Sequence, residues 1–128
     1  MRRSNIFVSF KYAFSGLWYM LRTQRNARIH LAVATAVVVM GLWLGISETE
    51  WAILVLTIGV VLTAEALNTV AETAVDLATM EYNPLAKVAK DVAAGAVLLM
   101  AIAAVVVGFL ILGPPLYRIV LGAPPLTQ

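Results

Sequence analysis

The residues of this chain best suited to chemistry are four polar side chains within one otherwise apolar stretch, Glu65, Asn68, Glu72 and Asp76. At about 100° per helical residue, their spacing places the last three within roughly 60° of Glu65 on one helix face. Carboxylates at membrane depth are costly and usually face a cavity, a partner or a cation. These four residues, here named the acidic stripe, are therefore the candidate functional site.

The composition indicates that this stripe belongs to a membrane protein. The chain has 128 residues, of which 62% are hydrophobic and 12% charged, and its mean hydropathy is +0.91. A soluble domain of this size is far less apolar. Since each span needs ~20 residues, the length allows about three spans and one surface helix. The absence of cysteine excludes disulfides and thiolate chemistry.

The spacing of apolar residues predicts an all-α membrane protein that forms a single domain over residues 1–128. An amphipathic surface helix is predicted over about 6–22, where aromatic and aliphatic residues recur at helical spacing. The last span is predicted to stop at Gly113, Pro114 and Pro115. Three transmembrane helices are predicted, at about 29–46, 51–77 and 88–112. The second would start at Trp51, after a polar turn. A bundle this small has little interior, so we expect a site between helices of several copies.

Basic residues predict the orientation of the spans, because cytoplasmic segments carry an excess of Lys and Arg. Only Arg118 falls on the opposite side from the others, which are Arg2, Arg3, Lys11, Arg22, Arg25, Arg28, Lys87 and Lys90. At ~1.5 Å per residue, Glu65 lies about 22 Å and Glu72 about 33 Å from Glu50, against a hydrocarbon core of ~30 Å. The acidic stripe therefore opens at the cytoplasmic interface, near Lys90 and Asp91.

The side chains expected at this interface are suited to phosphoryl transfer. Carboxylates bind magnesium, lysine binds phosphate oxygens, and a glutamate can take a proton from a hydroxyl group. Positioning and charge neutralisation do most of the work in that reaction. The chain has neither G-x-x-x-x-G-K-[ST] nor the kinase G-x-G-x-x-G loop. A nucleotide would therefore need an unusual site.

Two segments resemble a known family. The stretch E-A-L-N-T-V-A-E-T-A-V-D, followed by E-Y-N-P-L-A-K-V-A-K-D-V-A-A-G-A-V-L, is similar to the E-x-x-N-[ST]-x-x-E-x-x-x-D and A-K-D pattern of the bacterial integral-membrane diacylglycerol kinases. The likeness runs from about Phe10 to Leu112 and includes S-F-K-Y-A-F-S-G-L. It implies a homotrimeric enzyme that uses Mg²⁺ and ATP to phosphorylate a lipid alcohol. It also implies a bacterial inner membrane location, with the active site on the cytoplasmic side and membrane lipids around it.

The resemblance implies a role for each matching residue. Glu65 matches the general base, Glu72 a magnesium ligand, and Asn68 and Asp76 polar positions that shape the site. The positions implied to contact ATP are Lys90 and Asp91, with a looser nucleotide rim of Tyr12, Glu81, Tyr82 and Asn83.

Gln24 departs from the family pattern, because members usually have a magnesium-binding glutamate in that segment. A neutral amide offers the cation an oxygen but no charge. Three consequences stay open: weaker magnesium binding, substitution by Glu81, or an inactive protein. His30, nearby at the head of the first span, is interpreted as an interfacial polar residue outside the site.

The lipid acceptor is predicted from Ala94, which stands where members that prefer diacylglycerol have a serine. Together with N-P-L-A-K, this resembles the undecaprenol kinase branch. Diacylglycerol is the alternative acceptor. A small proton-coupled transporter is the rival class, but it predicts a carboxylate near the bilayer midplane, and Glu65 lies only about 8 Å from the inner boundary. A purely structural subunit is a third alternative, and nothing in the sequence indicates nucleic-acid binding.

Overall fold

The computed structural model describes residues 5–122 and 124, and this part of the chain is helical without strands. Three of its helices are long and apolar enough to cross a membrane, which confirms the predicted fold class. Arg2 and Arg3, used above to predict orientation, lie outside the described residues. The four helices are α1 (Ile6–Thr23), α2 (Arg25–Leu44), α3 (Glu48–Ala78) and α4 (Pro84–Leu121).

A single residue, Gln24, separates α1 from α2. Its backbone is extended, with φ −104° and ψ 115°, and it ends one helix while preceding the other. Asn5 begins α1, where its side chain accepts a hydrogen bond from the N–H of Phe7. Met20 is the buried residue of α1, at 4% exposure, so this helix presents most of its surface outward. That α1 lies on a membrane surface stays a prediction.

The start of α3 differs from the sequence prediction. Glu48 and Glu50 belong to its first turn, although the polar segment before Trp51 was predicted as a turn outside the helix. The cause is a capping box, in which the Ser47 side chain accepts from the N–H of Glu50 and the Glu50 carboxylate accepts from the N–H of Ser47. Such pairs satisfy unpaired N–H groups, and carboxylates are favourable at a helix N-terminus.

The last membrane-spanning helix was predicted to stop at Gly113, Pro114 and Pro115. That helix end is wrong, because α4 continues through both prolines to Leu121. A proline removes one N–H donor and crowds the preceding turn, yet the residues after it can remain helical. Transmembrane helices tolerate this interruption better than soluble ones. The helix ends instead at Gly122, whose φ of 63° provides a left-handed C-cap.

A cluster of buried apolar residues lies at one end of the bundle. Leu54, near the start of α3, is buried against Ile111 and Leu112, near the end of α4. At the other end, Asp76 of α3 pairs with Lys90 of α4, so the two helices are antiparallel. The apolar core thus occupies one end of the bundle and the acidic stripe the other.

Candidate functional site

The acidic stripe passes from the interior of the bundle to its surface along α3. Glu65 is 1% exposed and Asn68 is 7% exposed. Glu72 is half-buried, and Asp76, nearest the end of the helix, is exposed. The helical spacing predicted from sequence therefore gives one deep carboxylate, followed by polar groups that become progressively accessible.

His30 is the residue that α2 brings to this deep carboxylate. Its Nε2 atom lies 3.2 Å from Oε1 of Glu65. His30 was predicted to be an interfacial polar residue outside the site. Because the two residues belong to different helices, periodicity within either helix carries no signal for the contact. The one feature of the sequence that pointed to His30 was its position as a polar residue at the start of the first span.

Several deep oxygen atoms of the stripe have no hydrogen-bond donor. Within residues 5–122, both carboxylate oxygens of Glu65 and Oδ1 of Asn68 are buried and accept no hydrogen bond. The approach of His30 falls within ion-pair distance but does not meet hydrogen-bond geometry. Buried acceptors without donors are rare in proteins and call for an explanation such as a ligand or a catalytic role. These atoms are positioned to accept protons or hydrogen bonds from a bound molecule.

Gln24 and Glu72, the two residues predicted to bind magnesium, are in direct contact. Nε2 of Gln24 donates a 3.1 Å hydrogen bond to Oε2 of Glu72. The extended backbone between α1 and α2 places Gln24 against α3. The two predicted ligands therefore come together, although they lie far apart in sequence.

The donor chemistry of this pair fits part of a magnesium site, with the remaining ligands supplied from elsewhere. Within the described part of the chain, no three His, Cys, Asp or Glu side chains are grouped to hold a metal ion. Magnesium, however, is commonly bound by one or two carboxylates together with substrate phosphates and water. Glu72 supplies such a carboxylate, and rotation of the Gln24 amide brings its oxygen into the same position.

The connection between α3 and α4 carries two exposed ion pairs. Nζ of Lys90 lies 2.5 Å from Oδ1 of Asp76 and joins the two helices. Nζ of Lys87 lies 2.5 Å from Oδ2 of Asp91, within α4. Lys90 therefore contacts the acidic stripe, near which it was predicted to lie, whereas Asp91 pairs with Lys87.

The residues predicted as a nucleotide rim are not joined to the acidic stripe. Tyr12 and Tyr82 are 69% and 83% exposed, and Glu81 is exposed as well. Asn83 caps α4, because its side-chain oxygen accepts hydrogen bonds from the N–H groups of Leu85 and Ala86. Among the described residues, no hydrogen bond or ion pair connects these four side chains to Glu65 or Glu72.

An apolar groove of about 530 Å³ runs between α2, α3 and α4. Its lining begins at Ile29 and His30, beside Glu65, and extends to Leu54 and Leu112 in the packed core. Thr57 and His30 are the hydrogen-bonding side chains of the lining, and the rest are apolar or glycine. Glu65 is not a lining residue, and His30 is the lining residue that contacts it.

Comparison with known proteins gives three matches. A family model described as prokaryotic diacylglycerol kinase matches residues 11–112. A diacylglycerol kinase of Synechocystis is 50% identical over 113 residues, which are 88% of this chain and 65% of that protein. An undecaprenol kinase of Bacillus subtilis is 44% identical over 113 residues, which are 88% of this chain and 92% of that protein. The chain thus spans about two thirds of the length of the Synechocystis relative.

Proposed function

Because the chain belongs to the prokaryotic diacylglycerol kinase family, we propose that it transfers the γ-phosphoryl group of ATP to the hydroxyl group of a membrane lipid. The observation that carries this proposal is the Glu65 carboxylate, which is 1% exposed and accepts no hydrogen bond from the described residues. It lies 3.2 Å from His30, which lines one end of an apolar groove. A buried acceptor in contact with the lining of a hydrocarbon groove suits a lipid alcohol.

In the proposed reaction, Glu65 is the general base. The lipid oxygen attacks the γ-phosphorus while its proton passes to a carboxylate oxygen of Glu65, and ADP leaves with the electrons of the broken P–O bond. Asn68 lies one helical turn away, and its amide N–H would donate to the oxygen of the lipid hydroxyl and orient it. Proton transfer to a positioned base contributes typically about 10² to 10⁴ in rate.

Glu72 and Gln24 are the residues that we propose hold Mg²⁺. When bound, the ion would neutralise charge on the β- and γ-phosphates of ATP. Lys90 adds a positive charge at the same end of the bundle, where it faces Asp76. We also propose that the nucleotide contacts Asp91 and the rim residues, which are Tyr12, Glu81, Tyr82 and Asn83.

We further propose a homotrimer in the bacterial inner membrane, with the site on the cytoplasmic side. Large apolar residues are exposed along all three membrane-length helices, which provides surfaces for lipid and for other copies. The polar end of the bundle carries Asp76, Lys87, Lys90 and Asp91 as exposed groups. A polar end of this kind suits a soluble nucleotide and argues against a transporter with its carboxylate at the midplane.

Undecaprenol is the acceptor that we favour. Ala94 offers no hydroxyl group for a glycerol ester, and the groove beside Glu65 is lined almost entirely by hydrocarbon. An isoprenoid chain leaves no polar group unpaired in such a lining. Diacylglycerol is the second candidate, because the Synechocystis relative is named a diacylglycerol kinase.

The test is transfer of labelled phosphate from Mg²⁺·ATP by the purified protein in lipid, with undecaprenol and diacylglycerol offered separately. We expect label on undecaprenol. Label mainly on diacylglycerol would support the proposed phosphoryl transfer but show that diacylglycerol, not undecaprenol, is the acceptor. No label on either lipid would overturn the proposed function.

A variant pair then tests the role of Glu65. Glu65→Gln should lower the turnover rate at least about 100-fold, because the amide cannot accept the proton. Glu48→Gln is the matched control, since it removes an exposed carboxylate at the other end of the same helix. Equal activity of the two variants would show that Glu65 is not the base.

A further inference from the structure

We infer that His30 is a positioning residue for Glu65, holding one carboxylate oxygen so that the other faces the lipid hydroxyl. The inference rests on the proposed function and extends it to a residue of α2 that the sequence pattern left outside the site. Its basis is the 3.2 Å approach of His30 Nε2 to Glu65 Oε1.

The other polar side chains that the structure describes near Glu65 do not bind its carboxylate group in place of His30. Among the described residues, His30 is the one basic side chain within ion-pair distance of Glu65. Thr69 bonds instead to the backbone carbonyl oxygen of Glu65, and Lys90 is engaged with Asp76. The α4 residues that line the adjoining groove have no polar side chains. Orientation of this carboxylate therefore depends on the imidazole.

The two side chains differ in exposure in a way that suits this role. The side chain of Glu65 is 1% exposed and that of His30 is 23% exposed. His30 thus contacts the buried carboxylate and also lines the apolar groove, so it joins Glu65 to the space proposed for the lipid. Since Nε2 faces Oε1, the carboxylate has Oε2 available to take the proton.

The observed distance is short enough for a hydrogen bond, but the N–H direction is not aligned with the acceptor. Catalytic hydrogen bonds are often poorly aligned without substrate and tighten when it binds. The terminal torsion of a glutamate is broad, with no sharp rotamer of its own. Without a donor on Oε1, the carboxylate would sample orientations in which neither oxygen points at the hydroxyl group.

An isosteric pair of variants separates positioning from packing. His30→Gln keeps an N–H donor of similar reach, whereas His30→Met has a similar length and no donor. We expect His30→Met to lower kcat about 100-fold, the scale of a misplaced reacting group, with the KM values for ATP and lipid changed less than about threefold. His30→Gln should recover kcat to within about tenfold of the wild type. Thr35→Ala is the control, because this exposed α2 residue bonds only to the carbonyl oxygen of Leu31 in its own helix.

A double variant tests whether His30 acts through Glu65. In the Glu65→Gln background, His30→Met should cause no further loss of kcat, because residues that act as a unit are not additive. Equal kcat for His30→Gln and His30→Met, or losses that multiply in the double variant, would overturn the inference. Tm values of all variants, followed by tryptophan fluorescence, identify any loss caused by unfolding. If His30→Met fails to fold, His30→Leu, which also lacks a donor, replaces it in both comparisons. An inactive wild type would refute the proposed function itself, whereas an active wild type with an active His30→Met refutes only this inference.

Discussion

Gln24→Glu tests the proposed magnesium site, because it adds a negative charge opposite Glu72. In the structure, Gln24 Nε2 donates to Glu72 Oε2 over 3.1 Å. The substitution replaces that hydrogen bond with two carboxylates in contact. Without a cation the pair should destabilise the protein, and with Mg²⁺ it should bind the ion more tightly than the natural pair does.

The magnitude follows from the distance. At 3.1 Å, two unit charges repel by about 1 kcal/mol in water and by about 5 kcal/mol at an effective dielectric constant of 20. Loss of a hydrogen bond to a charged group costs about 1.5–3 kcal/mol more. Both side chains are half-buried, so water screens part of the repulsion, and we expect a loss in the lower part of the summed range, about 2.5–4 kcal/mol in unfolding free energy, when Mg²⁺ is absent. If magnesium binding recovers half of this, its half-saturating concentration falls about tenfold, since 1.4 kcal/mol corresponds to a factor of ten.

The assay combines two titrations. Tm is measured in EDTA and across a series of Mg²⁺ concentrations, and phosphate transfer is measured over the same series at fixed ATP. Gln24→Ala is the first control, because it removes the hydrogen bond without adding charge. It should lower Tm in EDTA less than Gln24→Glu does, and it should raise the magnesium requirement, because it removes a proposed ligand. Asn26→Glu is the second, because it adds the same charge at an exposed position two residues away. A Gln24→Glu protein with unchanged Tm in EDTA and an unchanged magnesium requirement would contradict the reasoning.

Two further predictions concern the ends of the bundle. Lys90→Met should raise the KM for ATP about tenfold while changing stability by less than about 1 kcal/mol, because the pair with Asp76 is exposed. Lys87→Met, which breaks the other exposed pair, is its control, and equal KM values would exclude a special role for Lys90. Gly41→Ala should destabilise the protein by about 1–3 kcal/mol, because a Cβ atom there would lie 2.9 Å from Cη2 of Trp51. Gly59→Ala, where a Cβ atom meets nothing within 4 Å, should leave Tm unchanged or raise it, and a similar loss in both variants would refute the packing argument.

The family could be predicted from short segments of the sequence. The segment with Glu65, Asn68, Glu72 and Asp76, together with the later K-D pair, resembles a kinase family, and the match over residues 11–112 confirms that family. Such a pattern lies within consecutive helical turns, so it can be recognised without knowing which helices touch. The acceptor lipid, the magnesium ion and the homotrimer stay predictions.

The sequence by itself determined the helices and the face on which the acidic stripe lies, because apolar periodicity, capping residues and composition act over a few neighbouring residues. Its local rules failed at Pro114, where a proline usually ends a helix but α4 continues.

Only the tertiary structure decided which side chains meet across helices: His30 with Glu65, Gln24 with Glu72, and Lys90 with Asp76. Those contacts depend on the rotation and depth at which α2, α3 and α4 pack. Packing is set by the fit of many apolar side chains at once, which spacing along one helix does not specify.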